Sequence, residues 1–388
     1  MYCDRLKMFS FKKFLKKFFI VVLCSILLGA IIIGIISFVV MRKAKTETQQ
    51  NGSICCVAGK SGGHLIPALT LARRYREEHP NAHVLFFSTD TPLDKNIVQK
   101  AGFVNEHITF ALGNVPRWDF WNWPKYFWNL SKVSWYAWRA LLKARPEKVM
   151  TTGGFISLPI GIISRTLGIP IYLYELNAVP GKAATVLSIF ATKTFVCFDE
   201  AFSKFPRSAR VIRGTYPLRF DANDRLTKEE ARVRLGIENA DRVMLVIGGS
   251  QGSFFINTIM PEVIAGLALS KKIMVMHQTG ESDVTRVRDL YRERGIQALV
   301  FAYREDMAVL YSAADCVISR AGAGSLFELL FFEKPSIIVP LETLVTDHQL
   351  DNACAMAQQY PAFFSVFRQA DLERSTQGFV RKLSKLLS

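Results

Sequence analysis

The chain of 388 residues is half hydrophobic and contains no long low-complexity tract, which indicates a folded protein of about two domains. Its seven cysteines form no repeated C-x-x-C pairs and no histidine stands at metal-ligand spacing, which argues against a disulfide framework and against a zinc site. The formal net charge of +16 fits an anionic membrane surface or phosphorylated ligands. Without zinc-finger spacing or an aromatic RNA-binding motif, we expect no nucleic-acid partner.

Residues 1–50 are predicted to form a separate module around an uncharged run of 24 residues at positions 18–41. A helix of that length measures about 36 Å and would span a bilayer. A cleaved signal peptide is the alternative, but the run is longer than a usual signal and its far end lacks a small-x-small cleavage site. We therefore expect a single-pass transmembrane anchor. Six basic residues precede the run and three follow it, a bias that places the N-terminus in the cytoplasm and the remaining chain outside.

Short continuous apolar runs recur from residue 53 onward. They do not alternate with polar residues, so they predict strands buried on both faces of a parallel sheet. Amphipathic segments of helical length lie between them, for example at 67–78 and 228–235, which predicts a doubly wound α/β protein. The runs are 53–58, 84–89, 148–153, 171–176, 194–198, 242–249, 273–278, 316–319 and 336–341, and residues 107–112 form a further strand-like run.

A polar and strongly charged stretch, at about 214–241, interrupts this pattern. It predicts a boundary between two α/β domains, at 51–215 and 216–388. Such an arrangement places a ligand cleft at the carboxyl ends of the two sheets.

The first glycine-rich loop after a predicted strand is AGKSGGHLIP at 58–67. It is not a P-loop, because that motif needs a glycine at position 54, where the chain has Ile54. His64 would lie near the start of the following helix, whose positive end would keep the imidazole neutral and available as a base. A histidine that caps or packs locally is the alternative.

Three further loops follow predicted strands. TTGGFISLP at 151–159 is followed one βα unit later by YELNAVPG at 174–181, whose Glu175 and Asn177 would face the crevice or hydrogen-bond their own loop. GGSQG at 248–252 precedes a helix, so its backbone N–H groups and the Ser250 hydroxyl would hold a phosphate. SRAGAGSLFEL at 319–329 opens another helix, and Glu328 would reach a ribose diol.

These loops in this order, with TDHQLDNA at 346–353, resemble the MurG family of glycosyltransferases over roughly residues 53–370. The resemblance implies the GT-B fold: two Rossmann-like parallel-sheet domains that face a central cleft, here preceded by one transmembrane helix. It also implies transfer of N-acetylglucosamine from UDP-GlcNAc to undecaprenyl-diphosphate-linked muramyl-pentapeptide, a step of peptidoglycan synthesis.

The resemblance assigns roles residue by residue. His64 and Glu175 would be catalytic, either one being the base. The acceptor side would comprise Ser61, Gly62, Gly63 and Asn177, and the UDP-GlcNAc side Arg219, Ser250, Gln251, Gly322, Glu328, Gln349 and Asn352. Three departures from the family pattern stand out: GKSGGH where GGTGGH is common, Leu176 in place of a glutamine, and GTYPLR in place of GNPxR.

No D-x-D motif occurs in the chain, so we expect inversion by single displacement with no required cofactor and no protein-bound metal, whether or not a divalent cation stimulates the reaction. The alternatives are a glycosyltransferase with another lipid acceptor, a sugar-nucleotide epimerase on a related fold, and an inactive membrane-anchored homologue. Because UDP-GlcNAc is a cytoplasmic metabolite, we expect the catalytic body on the cytoplasmic side of the membrane, against the charge bias.

All six tryptophans lie between positions 118 and 138. Tryptophan favours the headgroup level of a bilayer, and Lys and Arg residues are interleaved with this cluster. We expect membrane contact from Trp118, Trp121, Trp123 and Trp128, which surround Pro124 in a segment too irregular for one buried stripe. The alternative is a helix that packs its aromatic residues in the core, which suits Trp135 and Trp138 best.

Overall fold

The computed structural model describes residues 52–111, 123–237, 239–249, 251–267, 272–342 and 348–388. These residues form two compact α/β units. The first comprises the described residues up to Tyr174, with Gly181–Phe195 and Pro206–Ile212. The second comprises Glu175–Pro180, Val196–Phe205 and Arg213–Ser388.

The first unit is built on a seven-stranded sheet with the order β3-β2-β1-β4-β5-β6-β7. Its strands are β1 Ile54–Val57, β2 Val84–Thr89, β3 Glu106–Phe110, β4 Lys148–Thr151, β5 Ile171–Glu175, β6 Lys193–Val196 and β7 Val211–Arg213. Its helices are α1 Gly62–Glu78, α2 Pro92–Ala101, α3 Trp123–Ala144, α4 Ser157–Thr166 and α5 Lys182–Ser188.

Both faces of this sheet are covered, which explains the continuous apolar runs. Ile54 and Cys56 of β1 pack in a cluster with residues of α1, whereas Cys55 and Val57 pack in a second cluster with residues of α3 and α4. Successive side chains of a strand point to opposite faces, so every residue of β1 has to be apolar.

The second unit repeats the plan with a six-stranded sheet of order β10-β9-β8-β11-β12-β13, whose paired strands are parallel. Its strands are β8 Arg242–Ile247, β9 Ile273–Gln278, β10 Ala298–Phe301, β11 Cys316–Ser319, β12 Ser336–Ile338 and β13 Phe364–Val366. Its helices are α6 Lys228–Arg234, α7 Phe254–Ala265, α8 Val284–Glu293, α9 Met307–Ala313, α10 Ala323–Phe331, α11 His348–Gln359, α12 Gln369–Arg374 and α13 Gln377–Leu387.

The strand order reverses beside the first strand of each unit, between β1 and β4 and between β8 and β11. In open parallel sheets, ligands bind at this switch point, outside the carboxyl ends of the strands. The loops that follow these four strands are the glycine-rich loops at 58–61, 152–156, 248–253 and 320–322. The topology therefore places each pair of loops where a ligand site is expected.

Every apolar run named above overlaps a strand, and three further strands, β7, β10 and β13, lie outside those runs. Helix α1 begins at Gly62, five residues before the expected start, and Pro67 lies inside it. The chain passes between the two units more than once. Glu175–Pro180 therefore belongs to the second unit although it precedes the expected boundary at 215.

The expected membrane anchor at 18–41 lies outside the described residues. Within the described ranges, no helix combines the length and the apolar character needed to cross a bilayer.

Candidate functional site

His64 lies in the first turn of α1, directly after the loop that follows β1. Its Nδ1 atom is 2.9 Å from the carbonyl oxygen of Thr152, and the Thr152 hydroxyl donates to the carbonyl of His64 at 3.0 Å. A carbonyl can only accept, so in the neutral ring the proton resides on Nδ1. Nε2 then carries the lone pair that can accept a proton, as a general base requires.

The loop after β4 is held by its own hydroxyl groups. The Thr151 hydroxyl lies 2.9 Å from the carbonyl of Val57 and 2.6 Å from the Ser157 hydroxyl, and it accepts from the amide of Gly153 at 3.1 Å. These buried bonds fix the backbone that orients His64. Thr152 lies in a loop that the sequence singles out, yet its role as partner of His64 becomes visible only in the fold.

Lys60 occupies the left-handed region of backbone space, with φ of 74°. Its amide donates to the carboxylate of Asp94 at 3.0 Å, and that carboxylate also accepts from the amide of Thr89 at 3.1 Å and from the Thr89 hydroxyl. Asp94 is fully buried in the first turn of α2. Asp94 therefore shapes the loop before His64, although no motif marks it in the sequence.

Glu175 and Asn177 come together in the second unit. The Glu175 carboxylate accepts from the backbone amide of Asn177 at 3.0 Å and from its side-chain amide at 3.1 Å. Glu175 is only 3% exposed. The structure thus shows the loop-bonding alternative for this pair, and a role of Glu175 as the base stays a prediction.

Asn352 joins the same group from α11. Its side chain accepts from the amide of Ala178 at 2.8 Å and donates to the Asn177 side chain at 3.2 Å. Asn352 is buried, so in this structure its side chain ties α11 to the Glu175–Pro180 segment. The expected sugar contact of Asn352 stays a prediction.

Arg219 and Glu328, expected as two separate nucleotide ligands, bind each other. Arg219 donates from Nε to one Glu328 oxygen at 2.9 Å and from Nη2 to the other at 3.3 Å, and the Tyr311 hydroxyl donates to Glu328 at 2.9 Å. A carboxylate has about four acceptor sites, so room for about one more donor, such as a ribose hydroxyl, remains. Burial and the negative charge of Glu328 raise the pKa of Tyr311 well above its usual range, so that hydroxyl stays a donor.

A cavity of about 450 Å³ opens in the second unit at the switch point between β8 and β11. Gly252 has to be glycine there, because its φ is 77° and an added Cβ would lie 1.8 Å from the carbonyl oxygen of Thr279. The N-termini of α7 and α10 begin beside the cavity, at Ser253 and Gly322. The lining residues are Gly248, Gly249, Gly252, Ser253, Phe254, Phe255, Arg320, Gly322, Ser325, Leu341, Gln349 and Gln369.

Of the expected donor-side residues, Gly322 and Gln349 line this cavity. The Gln349 side-chain oxygen accepts from the amides of Ala321 at 3.2 Å and Leu341 at 2.9 Å, which leaves its NH₂ group as the donor to a ligand. Gln251 is exposed in the adjoining loop. Ser250 lies outside the described residues.

No sequence motif assigns a role to two of the lining residues, Arg320 and Ser253. Arg320 is buried, and its guanidinium donates to the Ser253 hydroxyl from Nε at 3.1 Å and from Nη2 at 2.7 Å. The RAG sequence after β11 was the available signal, but it does not reveal the direction of the side chain.

Helix α3 carries the described part of the tryptophan cluster. Trp128 is 64% exposed, Trp135 53% and Tyr136 57%, and the Lys132 ammonium lies 5.3 Å from the Trp128 ring centroid. Trp135 is therefore not a core residue, whereas Trp138 packs partly against the core. Trp118, Trp121 and the side chain of Trp123 lie outside the described part. The segment from Trp123 is also not irregular, because Pro124 stands in the first helical turn, where proline is tolerated.

No three His, Cys, Asp or Glu side chains of the described ranges are arranged to hold a metal ion. The expectation of a reaction that requires no cofactor stays a prediction.

Two family models match the chain. They are the Glycosyltransferase family 28 N-terminal domain over residues 54–196 and the Glycosyltransferase family 28 C-terminal domain over residues 243–387. A crystal structure of Acinetobacter baumannii MurG superposes with a TM-score of 0.67 at 24% identity, covering 87% of this chain and 92% of that chain. The UDP-GlcNAc 2-epimerase from Methanocaldococcus jannaschii superposes with a TM-score of 0.55 at 12% identity, covering 84% and 92%. These likenesses show the GT-B fold and do not separate transferases from epimerases.

Curated relatives are more specific. The UDP-N-acetylglucosamine–N-acetylmuramyl-(pentapeptide) pyrophosphoryl-undecaprenol N-acetylglucosamine transferase of Pelobacter propionicus is 34% identical over 342 residues, 81% of this chain and 87% of the relative. The protein of the same name from Moorella thermoacetica is 31% identical over 322 residues, 81% and 86%. These matches confirm the resemblance carried by the loops, and the chain belongs to the MurG family of N-acetylglucosamine transferases.

Proposed function

We propose that the chain transfers N-acetylglucosamine from UDP-GlcNAc to undecaprenyl-diphosphate-linked muramyl-pentapeptide in peptidoglycan synthesis, with inversion at the sugar. Membership of the family, at 31–34% identity over most of the chain, carries this proposal. The glycine-rich loops at both switch points support it, because a lipid-linked acceptor and a nucleotide sugar each need a site.

His64 is the general base of the proposed reaction. A nucleotide sugar already carries a good leaving group, so the protein has to deprotonate the acceptor hydroxyl and stabilise the departing UDP. The Thr152 carbonyl holds the proton on Nδ1 and leaves Nε2 to take the acceptor proton. The N-termini of α7 and α10 at the cavity supply backbone N–H groups for the diphosphate.

The test replaces His64 by alanine in the full chain and measures transfer from radiolabelled UDP-GlcNAc to the lipid-linked acceptor. Loss of a general base lowers turnover by at least about 100-fold, while UDP binding stays as in the wild type. His79→Ala is the matched control. The Nδ1 atom of His79 also contacts a backbone carbonyl oxygen, that of Tyr75 at 3.1 Å, but His79 stands at the C-terminal end of α1. Wild-type turnover of His64→Ala would remove His64 from the mechanism.

The same assay separates the alternatives. Transfer to a different membrane lipid would identify another acceptor, and conversion of UDP-GlcNAc without any acceptor would indicate an epimerase. A chain that neither binds UDP nor transfers sugar would be an inactive homologue.

Full activity in EDTA is the expected result for a reaction without a required metal, and loss of activity restored by Mg²⁺ would contradict it.

The exposed face of α3 is the proposed contact with an anionic membrane surface. This aromatic face comprises Trp128, Lys132, Trp135, Tyr136 and Arg139, spaced as neighbours along one side of a helix. Val133, Ala137 and Leu141 on the opposite side are buried in the core of the first unit. Aromatic rings that are half apolar suit the headgroup level, and the interleaved cations suit anionic lipid.

Flotation with anionic liposomes tests the aromatic face in a chain that lacks residues 1–50. The triple variant Trp128→Ser, Trp135→Ser, Tyr136→Ser is expected to bind several-fold more weakly, because it loses three interfacial side chains. Val233→Ser, which removes an exposed apolar residue of α6, is the control. Equal binding of the triple variant and the wild type would exclude this face as the contact.

A further inference from the structure

Arg320 is a buried cation at the wall of the donor cavity. It is 7% exposed, and its five N–H groups meet neutral acceptors. Nε and Nη2 donate to the Ser253 hydroxyl, Nη2 also donates to the Gln369 side-chain oxygen at 3.1 Å, and Nη1 donates to the carbonyls of Val339 and Pro340 at 3.1 Å each. Five donors is the full complement of a guanidinium, so Arg320 has no N–H left for a ligand.

No carboxylate in the described part of the chain pairs with Arg320, in contrast to Arg219 with Glu328 or Arg232 with Asp315. Burial lowers the pKa of Arg320 to about 10, which still leaves it charged at neutral pH. A buried charge is unfavourable unless an opposite charge approaches it. Arg320 lines the cavity, and an anion bound there would supply that charge.

Arg320 can influence a ligand in the cavity through its hydrogen bonds to Ser253. Ser253 is the N-cap of α7, and its oxygen accepts from the amide of Ile256 at 3.4 Å as well as from Nε and Nη2 of Arg320. A hydroxyl oxygen has two lone pairs, and three N–H groups already point at them. The hydroxyl hydrogen therefore has to be donated elsewhere. No described residue accepts this hydrogen, and Ser253 lines the cavity.

We propose that Ser253 is a further ligand-binding residue, which donates its hydroxyl hydrogen to a phosphate oxygen of the bound nucleotide, and that Arg320 is the positioning residue that fixes this donor. The inference rests on the proposed function, since it assigns an additional protein contact to the diphosphate of bound UDP-GlcNAc. A hydroxyl that accepts from a cation is a stronger donor, and it is oriented before the ligand arrives.

The test measures the dissociation constants of UDP and of uridine for the full chain carrying Ser253→Ala. We expect UDP to bind about ten-fold more weakly, as for loss of one hydrogen bond to a charged group. Uridine, which has no phosphate, is expected to bind as it does to the wild type. Ser253→Thr retains the hydroxyl and is expected to retain UDP affinity.

Thr227→Ala is the matched control for loss of a helix cap, because Thr227 caps α6 in the same unit through its side chain. It is expected to lower stability as Ser253→Ala does without changing UDP affinity. Unchanged UDP binding by Ser253→Ala, or equal weakening of UDP and uridine, would overturn the inference. Failure of the wild type to bind UDP would instead overturn the proposed function.

Discussion

At the scale of single residues, Lys60 stands in a backbone conformation that glycine adopts without strain. Members of the MurG family commonly have glycine at this position, and the φ of 74° supplies the physical reason for that preference. A side chain in the left-handed region raises the energy of the folded chain by about 1–2 kcal/mol. The bonds from the Lys60 amide to Asp94 and Thr89 hold the residue there.

We therefore expect Lys60→Gly to stabilise the first unit. The gain is about 0.5–1 kcal/mol, because glycine removes the strain but also gains freedom in the unfolded chain. Thermal unfolding of the full chain measures it as a higher Tm. Lys100→Gly, in the last turn of α2, should change the Tm in the opposite direction, since glycine is unfavourable in an ordinary helix. A Tm of Lys60→Gly at or below that of the wild type would show that the side chain compensates for the strain.

At the scale of elements, Asp315 ties helix α6 to the centre of the second sheet. Lying one residue before β11, it accepts from Lys228 at 2.7 Å, from Arg232 at 2.6 Å and from the amide of Val243 in β8 at 2.7 Å. Burial alone would raise the pKa of Asp315, but these donors and charges lower it below its usual value. Burial and the neighbouring cations lower the pKa of Lys334 to about 8, and the negative charge of Asp315 opposes this lowering.

Asp315→Asn is expected to lower the free energy of unfolding by about 3 kcal/mol at neutral pH, because it leaves partly buried cations without their counter-charge. The folded pKa lies below the unfolded one, so the carboxylate adds stability above about pH 4 and loses it as the pH falls further. The difference in Tm between variant and wild type should therefore narrow below pH 4.

Asp306→Asn, which breaks a surface pair with Arg304, is the control for Asp315→Asn and should change stability by less than about 1 kcal/mol. Equal effects of the two substitutions, or a difference independent of pH, would contradict the proposed role of Asp315.

At the scale of the whole molecule, the charges beside residues 18–41 and the proposed donor favour opposite orientations. UDP-GlcNAc is made in the cytoplasm, so we propose that both α/β units lie on the cytoplasmic side of the inner membrane. The basic residues on both sides of the run weaken the orientation bias, which is statistical.

Protease protection in inverted membrane vesicles tests this orientation. We expect the α/β units to be digested without detergent, because their side of the membrane faces the medium. A periplasmic reporter protein sealed inside the vesicles is the control for vesicle integrity. Protection of the α/β units until detergent is added would place them on the side without the donor and would contradict the proposed function.

Much of the fold could be predicted from the sequence because its signals are local. A strand buried on both faces is a continuous apolar run, and a loop that approaches a ligand is marked by glycines, so β1, β8 and the loops after them were recognisable. β13, with three residues, gave too short a pattern. Helix α1 begins before Pro67 because the switch-point loop, rather than the proline, sets its first turn.

The sequence by itself determined the α/β class, the order of the glycine-rich loops and the family. Only the tertiary structure decided which side chains meet: Arg219 with Glu328 across 109 positions, Asn352 with Ala178 across 174, and Arg320 with Ser253 across 67. Residue type states what a side chain can donate or accept, but its partner depends on which loops the sheet order brings to one edge. That is why the sequence marks Arg219, Glu328 and Asn352 as site residues without revealing which of them pair, and why Arg320 and Ser253 become visible only in the folded chain.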